Sequence, residues 1–139
     1  MSNIFGDQRR FMVEGGQSVY KTNVDQSRLY GRLVKEESEE LNEALTNWLE
    51  FPTVESKADL IKEAMDVLVV AAGFVHSLGL DGQQINDAWS AVHESNMSKV
   101  TGDVTKREDG KILKSAEYKA AAKAKLMDTL YELVSSNEE

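Results

Sequence analysis

Four carboxylates, arranged in two pairs with the same spacing, are the residues of this chain best suited to chemistry. Glu37 and Glu40 stand three residues apart, and Glu63 and Asp66 repeat that spacing. At about 100° per residue, both members of a pair project from one side of a helix. Oxygen-only ligand sets suit Mg²⁺ or Mn²⁺, and a divalent cation removes the repulsion among clustered acids. We expect these four residues to be metal ligands.

The first pair falls on the side of a helix that should be buried. Apolar residues recur at helical spacing around it and mark one stripe: Leu29, Leu33, Leu41, Ala44, Leu45 and Trp48. Glu37 and Glu40 point into this stripe. The second pair immediately precedes the most apolar stretch of the chain, residues 67–75. Two adjacent antiparallel helices would therefore bring the pairs together inside a bundle.

Two explanations of the acids without a metal remain open. A single pair of acids three residues apart is common on solvated helix surfaces, so neither pair is diagnostic alone. The four acids together could also be neutralised by basic side chains, and Lys62 and Arg32 are nearby in sequence. The protein would then be a non-catalytic helical interaction module that binds a partner through its acidic surface.

Composition limits the classes of function. The net charge of −8 argues against binding to a nucleic acid polymer or to an anionic membrane. The absence of Cys excludes disulfides, zinc–thiolate sites and Cys nucleophiles. Residues 1–10 contain no apolar signal-peptide core, and the run 67–75 is too short to span a bilayer, which needs about 20 residues. We expect a soluble, cytoplasmic protein.

The pattern along the chain predicts one all-α domain over residues 1–139, a bundle of four to five helices. The predicted helices cover residues 4–14, 26–50, 57–78, 81–94 and 115–134. The expected N-caps are Asn3, Asp25, Ser56, Asp81 and Ser115. Residues 85, 88, 89 and 92 should face inward, including Trp89. The segment at about 96–114 is predicted to be an ordered loop with a short hairpin near Asp109-Gly110.

This loop is the most basic segment of an acidic chain. It contains Lys99, Lys106, Arg107, Lys111 and Lys114. Cations at these positions could neutralise phosphate charge as it develops during a reaction, although a merely solvated basic loop would have the same composition. Together with a hard metal, these cations favour phosphate chemistry.

Several stretches of the chain resemble one enzyme superfamily. They are Gly15-Gly16-Gln17, the run from Arg28 through Leu33, Glu36, Glu37 and Glu40 to Leu41, the segment Glu63-Ala64-Met65-Asp66, the run from Val92 to Lys99, and the stretch from Arg107 to Lys114. Over residues 11–118 the chain resembles the all-α nucleoside triphosphate pyrophosphohydrolases. Within that superfamily it is most similar to the MazG-like and phosphoribosyl-ATP pyrophosphohydrolase-like group, including phage versions.

The resemblance implies an activity and a set of roles. It implies Mg²⁺ held by Glu37, Glu40, Glu63 and Asp66, with Mn²⁺ able to substitute. It also implies hydrolysis of a nucleoside triphosphate to the monophosphate and pyrophosphate by water attack at the α-phosphate. The implied phosphate contacts are Asn96, Lys99, Lys111 and Lys114, with Arg107 as a further candidate. Lys99 is also a candidate catalytic residue.

Glu36, the substrate and the assembly are less constrained by the resemblance. Glu36 is a candidate for orienting the attacking water or holding a further metal, and an exposed surface acid explains it equally well. Aromatic and polar groups recognise bases, which makes Phe11 and Gln17 candidates for the base pocket, with Phe5, Met12 and Trp48 as further candidates. We expect a deoxynucleoside triphosphate, with dGTP as the specific candidate and phosphoribosyl-ATP as the alternative. The resemblance also implies a homo-oligomer, either a dimer or a tetramer, and of the two we expect a tetramer.

Overall fold

The structure, a computed structural model, describes residues 3–114 and 120–137. Over these residues it has five helices: α1 (Ile4–Glu14), α2 (Val24–Glu50), α3 (Val54–Ser77), α4 (Gly82–Ser98) and α5 (Ala120–Asn137). The two short strands are β1 (Thr105–Lys106) and β2 (Ile112–Leu113). The predicted all-α class is confirmed. None of the helices in the described part of the chain combines the length and apolarity that crossing a bilayer demands.

Contacts between residues divide the chain into two units, one ending at Gly82 and the other beginning at Gln83. The first unit contains α1, α2 and α3, and the second contains nearly all of α4, the hairpin and α5. Each unit is described by itself below. The assignment of residues 1–139 to a single domain stays a prediction.

Helix α1 begins and ends at the residues that the sequence predicts. The side chain of Asn3 accepts hydrogen bonds from the backbone N–H groups of Phe5 and Gly6 at 2.9 and 3.2 Å. At the other end, Gly16 adopts a φ of +80°, and the N–H of Gln17 donates to the carbonyl of Met12 at 2.8 Å. This arrangement is a Schellman motif, which satisfies the last carbonyls of the helix.

Helices α2 and α3 begin slightly earlier than predicted because another residue supplies each cap. Asn23, not Asp25, caps α2, and its side chain accepts from the backbone N–H of Gln26 at 3.0 Å. Thr53, not Ser56, caps α3. Ser56 is instead the third helical residue, and its hydroxyl accepts from the backbone N–H of Thr53 at 3.0 Å, which completes a capping box. Residues 51–53 are the whole connection between the two helices.

A close approach of Tyr30 and Gly73 sets the packing of α2 against α3. The Tyr30 side chain is almost fully buried and lies against the α-carbon of Gly73, where a Cβ atom would overlap the ring. Its hydroxyl donates to Gln17 Oε1 at 2.6 Å and accepts from Gln8 Nε2 at 3.2 Å. The ring is therefore packed against Gly73 and held by its hydroxyl, and the two helix backbones come close together at this level.

Helix α1 packs against α3. Met12 is fully buried and joins Tyr30 and Val70 in the apolar core of this unit. His76 is also fully buried: its Nε2 donates to the carbonyl of Phe5 at 2.7 Å, and the Phe5 ring meets it edge-on. Burial lowers the pKa of His76, which favours the neutral form of the ring, and its Nδ1 has no partner.

The second unit contains the predicted hairpin. Strands β1 and β2 pair antiparallel, with Thr105 opposite Leu113, and Gly110 takes a φ of +92° in the turn between them. Helix α4 continues to Ser98, beyond its predicted end near residue 94. The predicted cap of the last helix, Ser115, lies outside the described residues.

Two residues that the periodicity placed inward are substantially exposed. Trp89 on α4 is 62% exposed, although Ile85 on the same predicted face is buried. Leu45 on α2 is 40% exposed, in contrast to the half-buried Leu33, Leu41 and Trp48 of the same stripe. Helical periodicity identifies a face of a helix, but it does not establish how far along that face the neighbouring helix extends.

Candidate metal centre

The register of α2 against α3 brings acids from both helices together. Glu37 lies seven residues beyond Tyr30 on α2, and Asp66 lies seven residues before Gly73 on α3. Because the helices run antiparallel, the contact between Tyr30 and Gly73 places Glu37 opposite Asp66 and Glu63. One carboxylate oxygen from each of these three residues lies within 4.8 Å of the others.

These separations fit a shared cation. Two oxygens bound to one ion at about 2.1–2.6 Å lie no more than about 4–5 Å apart. Moreover, Glu37 Oε2 and Glu63 Oε2 are buried and have no hydrogen-bond partner. A buried carboxylate oxygen without a partner is costly, and a bound cation would remove that cost. The three residues therefore fit a hard metal ion such as Mg²⁺ or Mn²⁺, which prefers oxygen ligands.

The charges at the cluster are unbalanced without a further cation. Burial raises the pKa of Glu37, and the carboxylates of Glu40, Asp66 and Glu63 raise it further. A carboxyl whose neighbours are all acids resists ionisation, because a second negative charge nearby is repelled. A cation bound among these acids would relieve that repulsion.

One cation already contacts the cluster. The ammonium of Lys62 lies 2.7 Å from Asp66 Oδ2 and 3.4 Å from Glu63 Oε1, and these carboxylates raise the pKa of Lys62. Neutralisation by Lys62 was one of the explanations left open by the sequence, and this ion pair exists. It is incomplete, because the two buried oxygens named above remain without partners. Arg32, the other basic residue considered, is exposed and forms no ion pair with the acids in the part of the chain that the structure describes.

The remaining two acids of the predicted site lie at its edge. Glu40 is exposed and does not join the three-residue cluster, but its carboxyl lies within hydrogen-bonding reach of Glu37. Glu36 is exposed on α2 next to Glu37. The assignment of Glu40 as a ligand and of Glu36 as a catalytic residue stays a prediction.

A comparison with protein families adds the decisive observation. The family model described as phosphoribosyl-ATP pyrophosphohydrolase matches residues 13–96, more than half of the chain. The chain belongs to this family. It is thus a member of the MazG-like superfamily of all-α nucleoside triphosphate pyrophosphohydrolases, as the sequence resemblance indicated. No curated protein matches the chain.

Family membership supports a general activity. The chain is a pyrophosphohydrolase of the MazG-like superfamily, and its matched region includes all of α2 and α3 with the acidic cluster. Members of the superfamily are typically metal-dependent, in agreement with a cluster that could hold a metal. The predicted general activity is therefore confirmed at the level of the reaction class.

The candidate base-binding residues have different environments in the first unit. Phe11 is 64% exposed and lines a groove of about 350 Å³ between α1 and α3, together with Met65, Leu68 and Val69. Gln17 is half-buried and accepts the hydroxyl hydrogen of Tyr30. Met12 is fully buried in the core, which leaves no surface of it for a nucleotide.

The predicted phosphate-binding residues all belong to the second unit. Lys99 Nζ lies 3.3 Å from Asn96 Oδ1 at the end of α4. Arg107 forms two hydrogen bonds to the carboxylate of Asp109, at 2.9 and 2.6 Å, across the hairpin turn. Lys111 and Lys114 are exposed around strand β2. The roles of these residues stay predictions from the resemblance.

Two features of the site were not predicted from the sequence. The contact of Tyr30 with Gly73 fixes which acids face each other, and a glycine inside a long apolar helix was its available signal. The second feature is the ion pair of Lys62 with Asp66, since the sequence indicates only that Lys62 lies near the acids. Their spacing of four residues places both on one side of α3, although a base that precedes an acid is the weaker orientation of such a pair.

Proposed function

We propose that this protein is a Mg²⁺-dependent nucleoside triphosphate diphosphatase that releases a nucleoside monophosphate and pyrophosphate. The observation that carries the proposal is the pair of buried, unpartnered oxygens on Glu37 and Glu63 within a three-acid cluster. A family of pyrophosphohydrolases supplies the reaction class. Mn²⁺ is expected to substitute for Mg²⁺, because both prefer oxygen ligands.

The residues of the cluster take defined roles in this proposal. Glu37, Glu63 and Asp66 hold the ion, and Glu40 supplies a fourth carboxylate beside Glu37. An Mg²⁺ ion held by these residues would neutralise charge on phosphoryl oxygens and would make a bound water more acidic. Glu36, adjacent to the cluster and open to solvent, orients the attacking water. The oxygen of that water bonds to the α-phosphorus, the bond from this phosphorus to the bridging oxygen breaks, and pyrophosphate leaves while the water releases a proton to solvent.

The substrate contacts of the proposal rest on the sequence resemblance. Asn96, Lys99, Lys111 and Lys114 are the proposed phosphate ligands, with Arg107 as a further candidate. Lysine ammonium groups bind phosphate as compact point charges, so the loss of one should reduce the rate without altering metal binding. Phe11 and Gln17 remain the candidates for the base.

The substrate proposed first is a deoxynucleoside triphosphate, with dGTP as the specific candidate. The second candidate is phosphoribosyl-ATP, which the description of the matching family favours. The two differ in the base, in the 2′-hydroxyl of the sugar and in the phosphoribosyl group that the adenine carries, so a single panel of substrates separates them.

The proposal includes a homo-oligomer, and the surface of α3 supports it. Leu68 and Val69 are 42% and 40% exposed, and Met65 and Ile61 on the same helix are about half exposed, at 51% and 54%. Isolated apolar side chains on a surface are ordinary, but several on one helix are typical of a face that packs on a partner. We propose a tetramer rather than a dimer, which the molar mass from light scattering tests directly.

The proposed activity is tested by incubating the protein with each deoxynucleoside triphosphate and with phosphoribosyl-ATP, with Mg²⁺ or Mn²⁺. The products must be resolved, because monophosphate plus pyrophosphate distinguishes this reaction from release of a single phosphate. Glu37→Gln should lower the rate by about 100-fold or more, whereas Glu39→Gln, at an exposed position on the same helix, should leave it unchanged. Full activity in Glu37→Gln would show that the site assignment is wrong.

The same experiment tests the non-catalytic alternative. An interaction module would hydrolyse none of these substrates, and its melting temperature would not change when Mg²⁺ or Mn²⁺ is added. The enzyme should be stabilised by either ion, and Glu37→Gln should reduce that stabilisation while retaining helical circular dichroism.

A further inference from the structure

Lys62 holds the position of a cation at the acidic cluster. Its ammonium contacts Asp66 Oδ2 at 2.7 Å and Glu63 Oε1 at 3.4 Å, which are carboxylates of the candidate metal centre. Within the described residues, these are the ion pairs that the cluster makes. Lys62 therefore provides the positive charge that the three acids lack in the absence of a metal.

The ion pair is explained by the cluster more readily than by the helix alone. Lys62 precedes Asp66 by four residues on α3, and for an isolated helix this order is less favourable than an acid followed by a base. The carboxyl of Asp66 also faces Glu63 and Glu37, so the local potential at this point is strongly negative. That potential attracts the ammonium.

The side chain of Lys62 can also leave the cluster at little cost. It is 66% exposed, whereas the side chains of Glu63 and Asp66 are 18% and 31% exposed. A lysine has a flexible four-carbon stem, and its ammonium is well hydrated when it turns into solvent. The acids are fixed by the helices, but the cation that neutralises them is not.

We propose that Lys62 is a built-in counter-ion that stabilises the cluster before the metal binds and is displaced when the metal arrives. An ammonium and a divalent ion on the same carboxylates repel each other, so Lys62 lowers the affinity of the site for its metal. This inference rests on the proposed function, because it needs the cluster to bind a metal.

The test compares metal affinity and metal-free stability in three variants. Lys62→Gln removes the charge, Lys62→Arg keeps it, and Lys57→Gln removes an exposed charge near the start of the same helix, away from the cluster. Mn²⁺ binding is measured by the electron paramagnetic resonance signal of free Mn²⁺, and the melting temperature is measured in excess chelator. Neither measurement depends on turnover.

Lys62→Gln should bind Mn²⁺ about two- to fivefold more tightly than the wild type, a size typical of an exposed ion pair. It should also melt at a lower temperature without metal, because the acids then repel each other without compensation. Lys62→Arg and Lys57→Gln should match the wild type in Mn²⁺ affinity.

Three results would overturn the inference. Unchanged or weaker Mn²⁺ binding in Lys62→Gln would show that Lys62 is not displaced. An equal gain of Mn²⁺ affinity in Lys57→Gln would show that the effect comes only from the net charge of the protein. If the wild type itself showed no saturable Mn²⁺ binding, the proposed function would fail, and the inference with it. If the wild type binds Mn²⁺ and Lys62→Gln binds it with the same affinity, the counter-ion role of Lys62 is refuted but the proposed function is not.

Discussion

Replacing Gly73 by Ala should destabilise the protein, although the same change at Gly31 should stabilise it. Both glycines lie inside long helices, Gly31 on α2 and Gly73 on α3. A Cβ at Gly73 would overlap the ring of Tyr30 at three of its atoms, whereas a Cβ at Gly31 would meet Phe74 at 3.8 Å, an ordinary contact. The matched pair separates packing from the intrinsic preference of Ala for helix.

The magnitude follows from how firmly the Tyr30 ring is held. Overpacking a core by one methyl group typically costs about 1–3 kcal/mol. The upper end applies here, because the ring is 2% exposed and its hydroxyl is bonded to Gln17 and Gln8, so it cannot turn away. Ala gains about 1 kcal/mol over Gly in a helix. The net loss for Gly73→Ala is therefore about 2 kcal/mol, against a gain of about 0.5–1 kcal/mol for Gly31→Ala.

Urea unfolding followed by circular dichroism measures both free energies of unfolding, and an unchanged m-value would show that the variants remain comparable. Because Gly73 fixes the register of the helices, its variant should also bind Mn²⁺ more weakly than the Gly31 variant. The reasoning is refuted if Gly73→Ala is as stable as Gly31→Ala, since the ring would then have room that the structure does not show.

Other changes test the core, the helix caps and the basic loop. The lowered pKa of His76 means that the unfolded chain binds a proton more readily than the folded one; stability should therefore fall as the pH drops below about 6.5, by up to about 1.4 kcal/mol per pH unit. His76→Gln should remove this part of the pH dependence. If the free energies of unfolding of the two proteins differed by the same amount at every pH, His76 would not be its source. Ser56→Ala should cost about 1–2 kcal/mol in urea unfolding because a buried capping hydroxyl is lost, whereas Thr46→Ala on exposed α2 surface should change stability by less than about 0.5 kcal/mol. Lys99→Ala should lower turnover by about 10- to 100-fold with Mn²⁺ affinity intact, and unchanged kinetics would place the phosphates elsewhere.

The sequence predicted the helices well because each has a clear apolar period and a recognisable end. Asn3 and the Gly15-Gly16 pair delimit α1 as expected. The starts of α2 and α3 were displaced because two residues suited to capping stand close together at each. Asn23 competes with Asp25, and backbone geometry, which the sequence does not display, decides between them.

The sequence was sufficient to predict which residues form the acidic site, but not how deeply their oxygens are buried. Spacing and the apolar faces of the helices predicted a site of four acids, and three of them, Glu37, Glu63 and Asp66, meet in the structure, whereas Glu40 lies at the edge. These patterns could not reveal that two of the carboxylate oxygens would be buried without partners, because that depends on how closely the helices pack at Tyr30. Trp89 is a second example of a packing detail that periodicity does not predict, because its position on an apolar face did not ensure that another element would cover it.

The short connection at residues 51–53 has a consequence for how the acids assemble during folding. All three members of the cluster lie on one helical hairpin, between Glu37 and Asp66, so only a short stretch of chain must close to unite them. Closing a short loop loses little entropy, and contacts that are near in sequence form early. A divalent ion present during refolding should therefore accelerate the formation of the hairpin, in addition to stabilising the finished protein.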